Sequence, residues 1–196
     1  MAVSSRNRLF IVIGVILVLA LAFAGARFMN VPQAESRAAN AWGEVERQYQ
    51  LRAYLTQDVI DAVRAVNPAQ VDLVTALEEK RQQVIRYPFD ARAPHRDEQF
   101  RAFMATQDAL SVELGKVLDL MQLYPERRAQ PPISSVLARL AQSEIRIVMA
   151  RSDYIRAAKT YNRLVTNIPT RWFAGLVEHE TVPMIVSFDM SAPAKS

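Results

Sequence analysis

Eighteen consecutive residues without a charge, LFIVIGVILVLALAFAGA from Leu9 to Ala26, set the strongest constraint on this chain. At ~1.5 Å rise per residue the run spans roughly 27 Å as a helix, enough for the hydrocarbon core of a bilayer. It also exceeds the ~7–15 apolar residues usual in a signal peptide. An uncleaved anchor is therefore preferred over a leader, although Ala22–Ala24 and Ala24–Ala26 resemble small-residue cleavage sites. Arg6 and Arg8 precede the run and Arg27 follows it, so cations at both ends can reach headgroups. Acidic residues count little in the positive-inside rule, and the terminal amine is then the only excess on the leading side. The charge pattern leans toward a single-pass membrane protein with its N-terminus inside and the rest of the chain outside.

The remainder has the makings of one domain. The chain of 196 residues is 51% hydrophobic, and taking Arg6 and Arg8 from its 24 Lys+Arg leaves 22 basic residues against 20 acidic. No dense basic stripe interleaved with aromatics occurs, which argues against nucleic acid as a partner. No cysteine is present, so thiolate chemistry, thiolate zinc sites and disulfides are excluded. Five scattered glycines make no phosphate-cradling loop.

After the anchor, apolar positions recur at alternating spacings of three and four, the rhythm of packed helices. The first seam runs Ala38, Ala41, Val45, Gln48, Arg52, Leu55, Val59, Ala62, Val66. Asn67-Pro68 then closes one helix and opens another, with Asn67 as N-cap, Pro68 at the first helical position and Gln70 as capping-box partner. The second helix carries Val71, Val74, Leu77, Arg81 and Val84 or Ile85 before Tyr87-Pro88 stops it. YPFDARAPHRD, Tyr87 to Asp97, reads as a loop. The third seam is Phe100, Phe103, Gln107, Leu110, Leu114, Val117, Met121, Tyr124, ended by Tyr124-Pro125. The fourth helix, about Ile133 to Ile168, carries Leu137, Leu140, Glu144, Ile147, Arg151, Tyr154, Ala158, Tyr161 and Val165. The expected fold is all-α: a transmembrane helix followed by an elongated antiparallel four-helix bundle, coiled-coil-like in its packing. Its parts are a basic flank (1–8), the anchor (9–26), the helical domain (27–176) and an extended tail (177–196).

Two of the seams, the first and the fourth, carry polar residues that call for an explanation: Gln48 and Arg52 in the first helix, Glu144 and Arg151 in the fourth. An unpaired charge in a core costs several kcal/mol, so these side chains must pair or turn outward. In one reading local rotation brings them to the seam's edge. In the other, Glu144 bridges Arg52 or Arg151 and Gln48 completes the hydrogen bonds, a buried polar layer that fixes register. No catalytic, cofactor-binding or metal-binding set emerges. His95 and His179 stand apart without ligand spacing, and Glu144 and Asp153 are two and a half turns apart on opposite faces of one helix. Arg171-Trp172-Phe173 suits either a cap on the bundle or a membrane interface. The tail residues Pro183, Val186 and Phe188 belong to an apolar stretch that could add to a partner's sheet edge.

The fourth helix resembles the C-terminal signature of the LemA family of bacterial membrane-associated proteins. The resemblance rests on Leu137-x-x-Leu140-x-x-x-Glu144-Ile145-Arg146-Ile147, Ala150-Arg151-x-Asp153-Tyr154, Tyr161-Asn162, Pro169 and Phe173-Ala174-Gly175-Leu176. Tyr124-Pro125 matches the end of the family's third helix, and Ala41-Trp42 with Val45 the start of its first. The match loosens at Gln48-Tyr49-Gln50-Leu51-Arg52-Ala53-Tyr54-Leu55, where the family usually has Arg-Tyr-Asp-Leu-Ile-Pro-Asn-Leu, and at Ile145, where it usually has Asn. The chain reads as a divergent member. The resemblance implies a membrane helix, a long antiparallel helical domain and no established enzymatic activity or cofactor. Some relatives are linked to magnetosome membrane formation, which suggests a membrane-organising role. The expected partners are membrane lipid and other proteins, a homo-oligomer among them. The leading expectation is a non-enzymatic scaffold, and the second an adaptor or regulatory partner of a membrane protease or secretion complex.

Overall fold

The computed structural model describes residues 13–15, 30–88 and 97–166. Among these the secondary structure is helical throughout, in the order α1 (Asn30–Val66), α2 (Val71–Arg86), α3 (Asp97–Leu123), α4 (Pro125–Arg128) and α5 (Pro131–Thr166). No helix of the described residues is long and apolar enough to cross a membrane. The apolar run 9–26 lies outside them apart from Ile13, Gly14 and Val15, as do His95, the Arg171-Trp172-Phe173 segment and the tail with Pro183, Val186 and Phe188.

The two longest helices, of 37 and 36 residues, form an antiparallel hairpin about 55 Å long. Its sense is read from its contacts: Trp42 meets Tyr154, Arg52 meets Glu144 and Asp58 meets Arg139, so one number falls as the other rises. α2 returns along α1 in the same antiparallel way, with Arg64 donating to Glu78 and Arg81 to the Ala53 carbonyl. α3 runs parallel to α1, pairing Trp42 with Phe100, Arg52 with Ser111 and Asn67 with Tyr124. α1 is thus in contact with all three other long helices.

That central place explains its burial. One stripe is the expected seam; a second, Trp42, Glu46, Tyr49, Ala53, Thr56, Ile60 and Val63, follows the same three-and-four rhythm and is buried along its whole length. In α3 the expected seam from Phe100 to Met121 is buried at every position, Gln107 included. The corresponding seam of α5 is buried from Ile147 to Val165 apart from half-buried Arg151.

The α1–α2 junction differs from the expectation. α2 begins at Val71 with Gln70 at its N-cap and no side-chain cap, one turn after Asn67. The Asn67 side chain is engaged locally: its Oδ1 accepts from the Ala69 amide at 3.1 Å, and its carbonyl accepts from the Gln70 amide at 3.2 Å. This closes a turn over Pro68-Ala69, because an Asx side chain can bond its own backbone two residues on in place of capping a helix. The amide end of the same side chain donates to the Tyr124 hydroxyl at 3.0 Å and ties the junction to the end of α3.

Candidate functional site: a buried polar layer

The hydrophobic core is divided in two. One cluster holds Trp42, Val45 and Tyr49 of α1, Phe100, Phe103 and Met104 of α3, and Ile147 to Val165 of α5. The other takes up Ala53 to Val66, Leu110 to Met121 and Leu140, together with α2. The break falls at one level in each helix, and Arg52, Gln107 and Glu144 stand there.

Arg52 is 1% exposed, and its guanidinium is placed by partners from two other helices. Nη1 donates to Ser111 Oγ at 2.8 Å and to Glu144 Oε1 at 3.2 Å. Nη2 donates to the Gln107 carbonyl at 3.0 Å and to Gln107 Oε1 at 3.3 Å. Its carbon Cζ lies 5.0 Å from the centre of the Tyr49 ring, within cation–π range. Nε finds no acceptor among the described residues. The arrangement meets the requirement for a buried cation, a counter-charge plus hydrogen bonds, and the counter-charge keeps one side in water: the Glu144 side chain is 46% exposed.

The other two seam residues behave differently. Arg151 is half-buried one and a half to two turns along α5 and hydrogen-bonds the Tyr49 side chain; burial pushes its guanidinium below the usual value, opposed by Tyr49, Asp108 and Glu144. Burial also raises the Tyr49 hydroxyl above its ordinary range, against the pull of Arg151 and Arg52, and Tyr49 is a neutral phenol. Gln48 does not join the layer. It is buried, but its amide donates to Glu44 Oε1 at 2.6 Å, one turn back on its own helix. Burial works to raise the Glu44 carboxyl, yet this bond and those from Arg47 together hold it below the usual carboxylate value. The bonds around Arg52 thus join it to Glu144, Gln107 and Ser111, while Gln48 is bonded to Glu44 and Arg151 to Tyr49. Gln107 was visible as a polar interruption of the third seam; Ser111, one turn further on α3, left no such signal.

Below the layer an aromatic cluster fixes the three helices. The Trp42 ring lies 5.4 Å from Phe100, 5.2 Å from Phe103 and 5.3 Å from Tyr154, and Tyr49 and Tyr87 both stand edge-on to Phe103. Above it, α3 and α5 are separated by a groove of about 210 Å³ that starts at Ser111 and Glu144 and is lined by Gly115, Leu118, Leu137 and Ala141.

Residues 41–194 match the family model described as the LemA family. The chain belongs to the LemA family. The match covers most of the sequence and extends into the tail set apart above at 177–196. No curated protein matches this LemA chain. Among its described residues no group of three or more His, Cys, Asp or Glu is placed to hold a metal ion. Arg52 draws its hydrogen-bond partners from α3 and α5, so a one-turn slip of α1 against α5 would take the buried cation away from its counter-charge on Glu144.

Proposed function

We propose that this LemA protein is a non-enzymatic, single-pass membrane scaffold whose helical domain works by protein contact. The observation that carries the reading is the α1–α5 hairpin. It brings Asn30 and Thr166 to one end, directly after the uncharged run 9–26 in sequence, and leaves the turn at Asn67-Pro68 about 50 Å away. Such a rod carries contact surfaces up to about 50 Å from its anchored end. The side chains support the same reading: Arg52 and Glu144 serve register, and several large apolar side chains stand exposed, Ile145 and Met149 of α5 at 61% and 62% among them. The charges around the run support an orientation with the domain on the outer face of the inner membrane.

The anchor is tested by alkaline carbonate washing of membranes from bacteria expressing the full chain and a variant lacking residues 9–26. The full chain stays in the pellet at uncleaved size and the deletion moves to the supernatant. A full chain released by carbonate, or shortened by about 26 residues, would contradict an anchored rod.

A further inference from the structure

α5 carries a second stripe that the described residues of the chain leave uncovered. Ala138, Ala141, Ile145, Val148, Ser152 and Ile155 recur at the same spacings of three and four as the buried seam, on another face of the helix. None is charged, the first five are exposed and Ile155 is half-buried. Met149 extends the apolar surface on one flank; Glu144 and Arg151 stand on the other.

We propose that this stripe is a dimer interface, seated on the same stripe of a second copy with the two α5 helices antiparallel. The flanking charges select both partner and register. With Ile145 opposite the partner's Val148, Ala141 falls opposite the partner's Ser152 and Ala138 opposite the partner's Ile155. Glu144 then lies beside the partner's Arg151, twice over by the two-fold symmetry. A slip of one heptad in either direction sets Glu144 beside the partner's Glu144, or Arg151 beside the partner's Arg151. A parallel pair sets Arg151 beside the partner's Arg156. Only the first arrangement joins opposite charges on the flank, and its small residues let the helices approach closely. The exposed side of Glu144 suits this use, since only Oε1 is engaged by Arg52. The symmetry axis passes beside residues 146 and 147, so the Thr166 ends of the two copies stand roughly 60 Å apart at ~1.5 Å per residue, and two copies anchored in one bilayer pair with their rods lying along its surface. The inference rests on the scaffold reading and names another copy of the chain as its first partner.

The chain has no cysteine, which makes the register directly testable. Full-length Ile145→Cys and Val148→Cys proteins in mild detergent are oxidised separately and as a mixture allowed to exchange subunits. The mixed disulfide forms roughly tenfold faster than either like pair, because each like pair is three residues, ~4.5 Å, out of register along the axis. Ile145→Glu, at an exposed position, yields single copies with unchanged helical circular dichroism. Like pairs forming as fast as the mixed one, or an Ile145→Glu protein as associated as wild type, overturns the interface. If wild type is multimeric and the α5 variants fail in this way, the scaffold reading stands without this contact. A wild type that is single-copy throughout removes both.

Discussion

Trp42→Ala lowers the stability of the helical domain by about 3–5 kcal/mol, the range for deleting a large buried aromatic side chain. Trp42 is fully buried, and its ring touches Phe100 and Phe103 of α3 and Tyr154 of α5. Each aromatic pair contributes about 0.5–1.5 kcal/mol beyond the area it buries. Alanine at this position leaves a cavity at the meeting of three helices, where rigid helix backbones cannot collapse to fill it. In a domain of this size each kcal/mol is worth about 2–4 °C, so a thermal melt followed by circular dichroism falls by roughly 6–20 °C. Trp42→Phe recovers part of the loss by keeping a ring against its neighbours. A shift below about 1 kcal/mol for the alanine variant would mean that the aromatic cluster does not hold these helices together.

Arg52 separates two roles that a single deletion would confuse. Arg52→Ala removes the donors to Ser111, Gln107 and Glu144 and leaves a void between the two halves of the core, at a cost of about 3 kcal/mol or more. Arg52→Met fills the same space with an unbranched apolar side chain and joins the two clusters. Glu144, already half in water, loses its partner with little penalty. The buried Gln107 Oε1 loses its Arg52 donor, so the methionine variant melts within about 1–2 kcal/mol of wild type and above the alanine variant. Its defect appears elsewhere. With nothing to specify the level at which α1 meets α5, amide hydrogen exchange around residues 52 and 144 becomes faster while global stability holds. A methionine variant as unstable as the alanine one assigns the layer to stability; unchanged exchange denies it a part in register.

The helices were legible because their seams are long and nearly unbroken. From Phe100 to Met121 the spacing alone picks out every buried position of the α3 seam. α1 was only half legible. A single seam suffices for a helix with one neighbour, whereas α1 meets three, and the stripe from Trp42 to Val63 reveals itself only once that central place is known. Arg52 and Glu144 announced themselves as charges on apolar seams. Gln48 carried the same mark, but it lies one turn from Arg52 and within reach of Glu44, and local i, i+4 bonding captured it. Asn67-Pro68 illustrates the same competition at a helix end. The residues that favour an N-cap also favour an Asx turn, and the Tyr124 hydroxyl, 57 residues away in sequence, engages the other end of the side chain.

If this LemA protein acts through contact with other protein molecules, light scattering of the full-length chain, extracted in mild detergent and measured across a range of concentrations, finds two or more copies, or a fixed stoichiometry with a co-purifying protein. A single copy of 22.1 kDa at every concentration, with nothing bound, would contradict that role.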